Sequence, residues 1–271
     1  MDIQTKHEWQ AEQYHLNSSV QQEAAIHLLT LLQLNGRERI LDVGCGDGKI
    51  TAAIAASLKE GQIVGSDVSQ EMIQFANEKF SHSTRNNLGF ILLDAQDINC
   101  VDQFDLVFSS FALQWILDIE LVFKKINVSL RPNGRIGFTI PLSISDELED
   151  SLAFLIKDPQ WAPYFDGFKL NYYLRDENYY DQLLSKYGFR KTHFEVVEQK
   201  WVFPSREGFE QYTLMWLPHL SALPEHLQQK FFKQLMDKYV ELTPVFEDGR
   251  LNFVFDRVDI IARKDFACQS I

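Results

Sequence analysis

Short apolar runs that end on acids or small residues alternate, through the first half of the chain, with apolar positions at helical spacing. Ala24, Ala25, Leu28, Leu29, Leu31 and Leu32 recur at three- and four-residue steps. They predict a helix from about Val20 to Leu34, ended by Asn35-Gly36. Ile40, Leu41 and Val43 predict a short buried strand interrupted by Asp42, and helical spacing resumes at Lys49 with Ile50, Ile54 and Leu58. Further strands are predicted at 63–67, 90–93, 104–109 and 135–140, the last introduced by the turn Arg131-Pro-Asn-Gly134. Ser69 predicts the N-cap of a helix with Met72, Ile73 and Ala76 on its inner face. Strands alternating with helices in this way imply right-handed βαβ units and a parallel sheet.

The pattern loosens after Pro141. A helical piece near Leu148–Ile156 leads into Trp161, Tyr164, Phe165, Tyr172 and Tyr173, an aromatic stretch with few sheet signals that predicts a lid and pocket wall. A helix at 181–187, a long strand at 192–203, amphipathic helices at 206–217 and 224–242 and a strand at 251–262 follow. The long strand, the helical excursion and the final strand are together expected to close the sheet with an antiparallel edge. The expected organisation is one domain, 1–271, with an N-terminal segment 1–34, a ligand-binding core 35–141 and cap segments at 142–180 and 204–246.

Composition narrows the function classes. A chain of 271 residues buries a full core, and 45% hydrophobic with 24% charged residues is ordinary for a globular protein. A formal charge of −12 argues against a nucleic-acid partner, which calls for a basic face. Cys45, Cys100 and Cys268 are odd in number and form no CxxC pair, which disfavours disulfides and zinc and suits a cytoplasmic protein. No secretory signal and no apolar run near the roughly 20 residues of a membrane span is present. The histidines show no ligand spacing, so no metal is expected.

The chemistry concentrates at the predicted strand ends. Gly44, Gly46 and Gly48 follow the first strand at every second position, which lets a ligand approach bare backbone at a helix N-terminus. The dinucleotide fingerprint G-x-G-x-x-G fails here, because position 49 is Lys and the third glycine falls one place early. Asp42, Asp67 and Asp94 end three consecutive strands. A ligand with a cationic amino-acid end, a ribose and an adenine fits them better: Asp42 for positive charge, Asp67 for the ribose hydroxyls, Met72 against adenine and Asp94 for its exocyclic amine.

These residues resemble the class I S-adenosylmethionine-dependent methyltransferases. Asp42-Val-Gly-Cys-Gly-Asp-Gly48 is similar to their first motif, Gly65-Ser-Asp67 with Ser69-x-x-Met72 to the second, and Leu93-Asp94-Ala95 to the third. Trp9, Tyr14, Asn17-Ser-Ser-Val-Gln21, the segment Ser109–Ile116 with Trp115, Leu223-Pro-Glu-His-Leu and the tail 255–264 further resemble the juvenile hormone acid and trans-aconitate methyltransferases. The resemblance implies an α/β, Rossmann-like fold: a mostly parallel seven-stranded sheet, helices on both faces and a helical, aromatic lid. It implies S-adenosylmethionine bound by Tyr14, Asp42, Gly44, Cys45, Gly46, Gly48, Asp67, Val68, Met72, Asp94, Ala95 and Ser109. Gln21 and Trp115 would orient the acceptor.

The expected acceptor is a carboxylate of a small organic acid, handled by a monomer or weak dimer. A carboxylate with a pKa of about 4 is already ionised at neutral pH, so the lack of an obvious catalytic base leaves no gap. His219 and Arg175 are candidates for recognising an acidic acceptor, and Cys45 invites a redox reading that the family pattern makes unnecessary. Two rivals remain. One is an enzyme of the same fold acting on carbon, nitrogen or a carrier-bound acyl carboxyl. The other is a non-catalytic binder of the same cofactor.

Overall fold

The computed structural model describes residues 9–80, 86–243 and 246–265, so Cys268 and the first eight residues lie outside the described residues. In chain order the N-terminal segment forms α1 (Ala11–Asn17) and α2 (Ser19–Leu32). Then come β1 (Arg39–Val43), α3 (Lys49–Ser57), β2 (Gln62–Asp67), α4 (Gln70–Phe80) and β3 (Leu88–Leu92). β4 (Phe104–Ser110), α5 (Ile119–Ser129) and β5 (Leu130–Pro141) complete the parallel part. The second half holds α6 (Asp146–Ile156), α7 (Ala162–Phe165), α8 (Glu177–Lys186) and β6 (Phe189–Phe203). It ends with α9 (Arg206–Trp216), α10 (Glu225–Leu242) and β7 (Leu251–Lys264).

The strands form one seven-stranded sheet in the order β3-β2-β1-β4-β5-β7-β6. β1 to β5 pair in parallel, and β7 runs antiparallel to both β5 and β6. The antiparallel strand is therefore inside the sheet, and β6 is the edge. Order reverses at β1, which has β2 on one side and β4 on the other, and this places the ligand crevice beyond the carboxyl end of β1.

Strand alternation splits the apolar residues between two faces. Ile40, Leu106 and Phe108 pack with Leu28 and Leu32 of α2 and Ile54 of α3. Leu41, Val107 and Ile136 pack with Ile126 of α5 and with Leu183 and Leu184 of α8. A third core belongs to the cap, where Leu152 of α6, Phe209 of α9, Phe231 and Tyr239 of α10 and Phe253 of β7 come together.

The predicted turn 131–134 is absorbed into β5 as a bulge: the pairing passes from Phe104 with Leu130 directly to Leu106 with Arg135, and Asn133 takes a φ of 66°. The aromatic stretch divides. Trp161 is buried in the cap core against Phe231 and donates to Gln234 Oε1 at 2.7 Å, so it is core and no pocket wall. Tyr172 and Tyr173 reach the crevice.

Candidate functional site

The glycine turn is shaped by its own steric limits. Gly44, Gly46 and Gly48 have φ of 74°, 53° and 78°, a region that residues with a Cβ enter only with strain. A Cβ on Gly44 would overlap that of Ala112, and one on Gly48 would stand 2.7 Å from the Phe90 ring and 2.8 Å from Ala76. Gly44 and Cys45 donate their N–H groups to the Ser66 carbonyl at 2.8 and 2.9 Å, pinning the turn to β2.

Asp67 ends β2 and ties the turn to the next helix. Its carboxylate accepts from Gly46 N at 3.0 Å and from Ser69 N at 2.9 Å. Burial raises its pKa, and those N–H bonds oppose the rise. Asp94 accepts from Gln96 N at 2.9 Å and caps a short 3-10 turn. Asp42 lies deeper, 2% exposed, and accepts from Thr51 Oγ1 at 2.6 Å. Burial pushes its pKa to about 7, which the Thr51 bond opposes and the nearby Asp67 charge reinforces. Burial, with Asp42, Asp67 and Asp47 nearby, also raises the Cys45 thiol, which stays protonated and is no redox nucleophile at neutral pH.

A cleft of about 550 Å³ opens over these strand ends, within the range of small-molecule sites. Gly44, Gly46, Asp67, Val68, Met72, Asp94 and Ala95 line it, with Tyr14 and Trp115 at one end. Asp42 and Cys45 border a small adjoining cavity beside Gly44 and Tyr14. Two sequence expectations move. Ser109 is 1% exposed and donates to the Val43 carbonyl at 2.7 Å, facing away from the cleft. Its neighbour Ser110 lines the cleft, with a buried Oγ that has no partner. Gly48 is not among the residues that line the cleft, and it serves packing against α4 and β3.

α1 lies across this turn. Ala11 N donates to Glu71 Oε1 at 3.0 Å, His15 Nδ1 meets Asp47 Oδ2 at 2.6 Å, and Lys49 Nζ donates to the His15 carbonyl. The Tyr14 ring comes to 3.5 Å from where a Gly46 Cβ would stand. Burial, then the charges of Asp47, Asp67 and Asp42, raises the Tyr14 phenol far above its usual range.

A second, narrower chamber adjoins the cleft, and Trp9, Tyr14, Phe111 and Trp115 line both. Its free space is about 30 Å³, one water molecule's share of liquid volume. Gln21, buried at 6% exposure, lines it from α2. Phe111 holds a φ of 53°, which is strained for an aromatic residue, and its N–H is fixed by the Thr139 carbonyl at 3.0 Å. Trp115 makes edge contacts with Trp9 and Tyr172, with ring centroids 5.2 and 4.8 Å apart.

Gln114, Tyr212 and Trp216 also line the chamber and were not singled out from sequence. On an amphipathic helix, Tyr212 and Trp216 read as core, and only the fold shows which core residues border a space. The acid-recognition candidates sit elsewhere. Arg175 donates to the Ile116 and Leu117 carbonyls at 3.0 Å, and His219 is packed against Phe165 and Phe168, where burial lowers its pKa to about 4.

Residues 40–134 match a methyltransferase domain family. The chain is 26% identical over 264 residues to trans-aconitate 2-methyltransferase of Escherichia coli, covering 95% of this chain and 98% of that one. It is 32% identical over 131 residues to malonyl-[acyl-carrier protein] O-methyltransferase of Acetivibrio thermocellus, spanning 48% of this chain and 45% of that relative. Among solved structures, the YcgJ protein of Bacillus subtilis superposes with a TM-score of 0.61 at 15% identity, over 90% of this chain and 99% of that one. Phosphoethanolamine N-methyltransferase 2 of Haemonchus contortus, solved with S-adenosyl-L-methionine, superposes with a TM-score of 0.57 at 19% identity, over 90% and 52%. The strand order, the glycine turn with its strand-end acids and these similarities converge on a methyltransferase domain at residues 40–134, in a chain similar along its length to S-adenosylmethionine-dependent methyltransferases of Rossmann-like fold.

Proposed function

We propose that the chain transfers a methyl group from S-adenosylmethionine to a carboxylate of a small organic acid. The observation that carries this reading is the absence of a usable base among the described residues of the chamber. Its ionisable side chains are Tyr14, Tyr172 and Tyr212, and burial raises all three phenols. A nucleophile that must lose a proton on site finds no acceptor for it, whereas a carboxylate arrives ionised. The full-length similarity to trans-aconitate 2-methyltransferase supports the same acceptor class.

The donor site fits the cofactor on the chain's own geometry. The turn at Gly44 and Gly46 presents bare backbone to the cleft, and both Asp67 oxygens keep a lone pair for ribose hydroxyls. Val68 and Met72 offer an apolar face to adenine, Asp94 an acceptor to its amine, and Asp42 a buried negative charge to the amino-acid end. Tyr14 and α1 cover the bound molecule. S-adenosylmethionine supplies a sulfonium whose methyl group is electrophilic. Gln21 and Trp115 orient the acceptor toward it, and the closed aromatic walls exclude water; alignment of this kind contributes several kcal/mol. The free Cys45 and Cys100 suit a reducing cytoplasm, where we place the enzyme.

Incubation with methyl-labelled S-adenosylmethionine and a panel of carboxylic acids is the test. The expected product is a methyl ester that mild base hydrolyses with release of labelled methanol. A base-stable methylated product overturns the carboxyl assignment, and tight cofactor binding with no transfer to any acid points to a non-catalytic binder.

A further inference from the structure

At the end of the sheet away from the donor cleft, three arginines stand side by side. Arg135 of β5 pairs across the strands with Arg263 of β7, and Arg263 pairs in turn with Arg190 of β6. Directly paired residues project to the same face, and like charges placed in that way repel. Arg135 is braced: its Nη1 donates to the Leu32 carbonyl at 2.7 Å, and its Nη2 lies 3.7 Å from the buried Glu38. Burial lowers its pKa, Glu38 opposes that fall and the Arg263 charge reinforces it. The guanidinium groups of Arg190 and Arg263 are exposed and have no hydrogen bond or ion pair among the described residues. In a chain of net charge −12, two uncompensated guanidinium groups beside a third leave a local positive field.

The row borders a bay of about 610 Å³, which Arg135 and Arg263 line. The close seat of α2 creates it. Leu32 packs over Gly137, where a Cβ would meet it at 2.7 Å, and the helix ends there with Gln33 at a φ of 47°. Beyond the helix end, the start of β6 and the end of β7 form the far wall. Gln33 and Asn35 on one side, with Thr192 and His193 from a bulge in β6 on the other, supply further hydrogen-bonding groups. His193 Nε2 is buried without a hydrogen-bond partner, 3.5 Å from Glu195. Leu31 and Ile261 contribute apolar surface, and among the described residues no Asp or Glu lines the bay.

We propose that this bay binds a small phosphorylated molecule through a diphosphate group held by Arg135, Arg263 and Arg190. Adjacent strands set the arginines about 5 Å apart, a spacing that lets neighbouring guanidinium forks take neighbouring phosphoryl groups. Guanidinium suits that task because its planar fork matches two oxygens and stays charged. The volume accommodates a molecule of nucleotide size, with its remaining body against Leu31 and Ile261. The site is one of binding alone, separate from methyl transfer and independent of the acceptor. A ligand that neutralises the row also relieves its repulsion, so occupancy stabilises the fold.

Inorganic pyrophosphate is the probe. It is titrated calorimetrically, at fixed ionic strength, into the full chain saturated with S-adenosylhomocysteine, which keeps the donor cleft filled. One site is expected, with affinity reduced roughly tenfold or more in Arg263→Gln and in Arg190→Gln. Lys124→Gln, an exposed change on α5 across the sheet, removes the same charge and should leave affinity unchanged within about twofold. No saturable binding at millimolar pyrophosphate, or an equal loss in Lys124→Gln, overturns the site. Tighter binding of citrate than of pyrophosphate overturns the diphosphate assignment.

Thermal unfolding gives a second readout. Without ligand, Arg263→Gln should unfold no earlier than the native chain, because a repelling charge is gone. Pyrophosphate should raise the midpoint of the native chain by more than that of either arginine variant. A lowered midpoint in ligand-free Arg263→Gln makes the row a structural element, and the proposal fails.

Discussion

Asp42 is an acid held where ionisation is expensive. Its folded pKa of about 7 lies above its unfolded value, so the folded state binds the extra proton between about pH 4 and 7, and ligand-free stability falls as pH rises through that window. A cationic ligand reverses the preference by favouring the ionised form. Affinity for S-adenosylmethionine is therefore expected to rise about tenfold from pH 6 to pH 8 and to level off above pH 7. Calorimetric titration across that range checks it, and Asp42→Asn should flatten the profile. Asp67→Ala removes the acceptor for Gly46 and Ser69 N–H groups together with the proposed ribose contacts, and should weaken cofactor binding by about 50-fold or more. Unchanged affinity would place the pocket elsewhere. Gly44→Ala meets both a positive φ and the Ala112 methyl, and should cost about 2 kcal/mol or more in denaturant unfolding. At this scale the sequence is legible where one residue has one use. Asp42, Asp67 and the glycines are read directly, but Ser109 and Ser110 are not. Two adjacent serines on a strand face opposite ways, and which one meets the cleft depends on pairing register rather than composition.

At the scale of elements, the segment 171–175 straps the loop that carries Trp115. Tyr173 N donates to the Gln114 carbonyl at 2.7 Å, and Arg175 holds the next two carbonyls. Arg175→Ala should free this loop, costing about 1 kcal/mol per lost hydrogen bond. The expected effect is an acceptor KM raised about tenfold with cofactor affinity unchanged, and Arg175→Lys should not rescue it, because a single ammonium lacks the fork that spans two carbonyls. A parallel loss of cofactor affinity would make the role one of general stability. None of this strap was visible in the sequence, because its bonds run from backbone to backbone or from Arg to a carbonyl 58 or 59 residues away. The same limit hid α1 and the inner position of β7. Local periodicity reports that a strand exists, whereas its neighbours are chosen by pairings made across the whole chain.

For the whole molecule, three cores divide the labour. Two lie on the faces of the sheet and support the strand ends, and the third holds the cap around the chamber. α1 joins the donor turn through a few polar contacts and packs only Ala11 and the Tyr14 ring inward, so it is expected to open more readily than β1, β4 or β5. Hydrogen exchange should show α1 and 171–175 exchanging early in the free protein and slowing on addition of S-adenosylmethionine, with the central strands slow throughout. Equal protection of α1 in both states would count against its role as a cover. The cation-free lining of the chamber has a further result for the reaction cycle. On the carboxyl reading proposed above, methyl transfer turns a sulfonium and a carboxylate into a thioether and an ester, so both charges vanish in one step. A wall with its own arginine would keep its affinity for the next anion and for any product acid. This wall is left holding two neutral molecules with no ionic attraction between them, and release of the ester is driven by the chemistry that formed it.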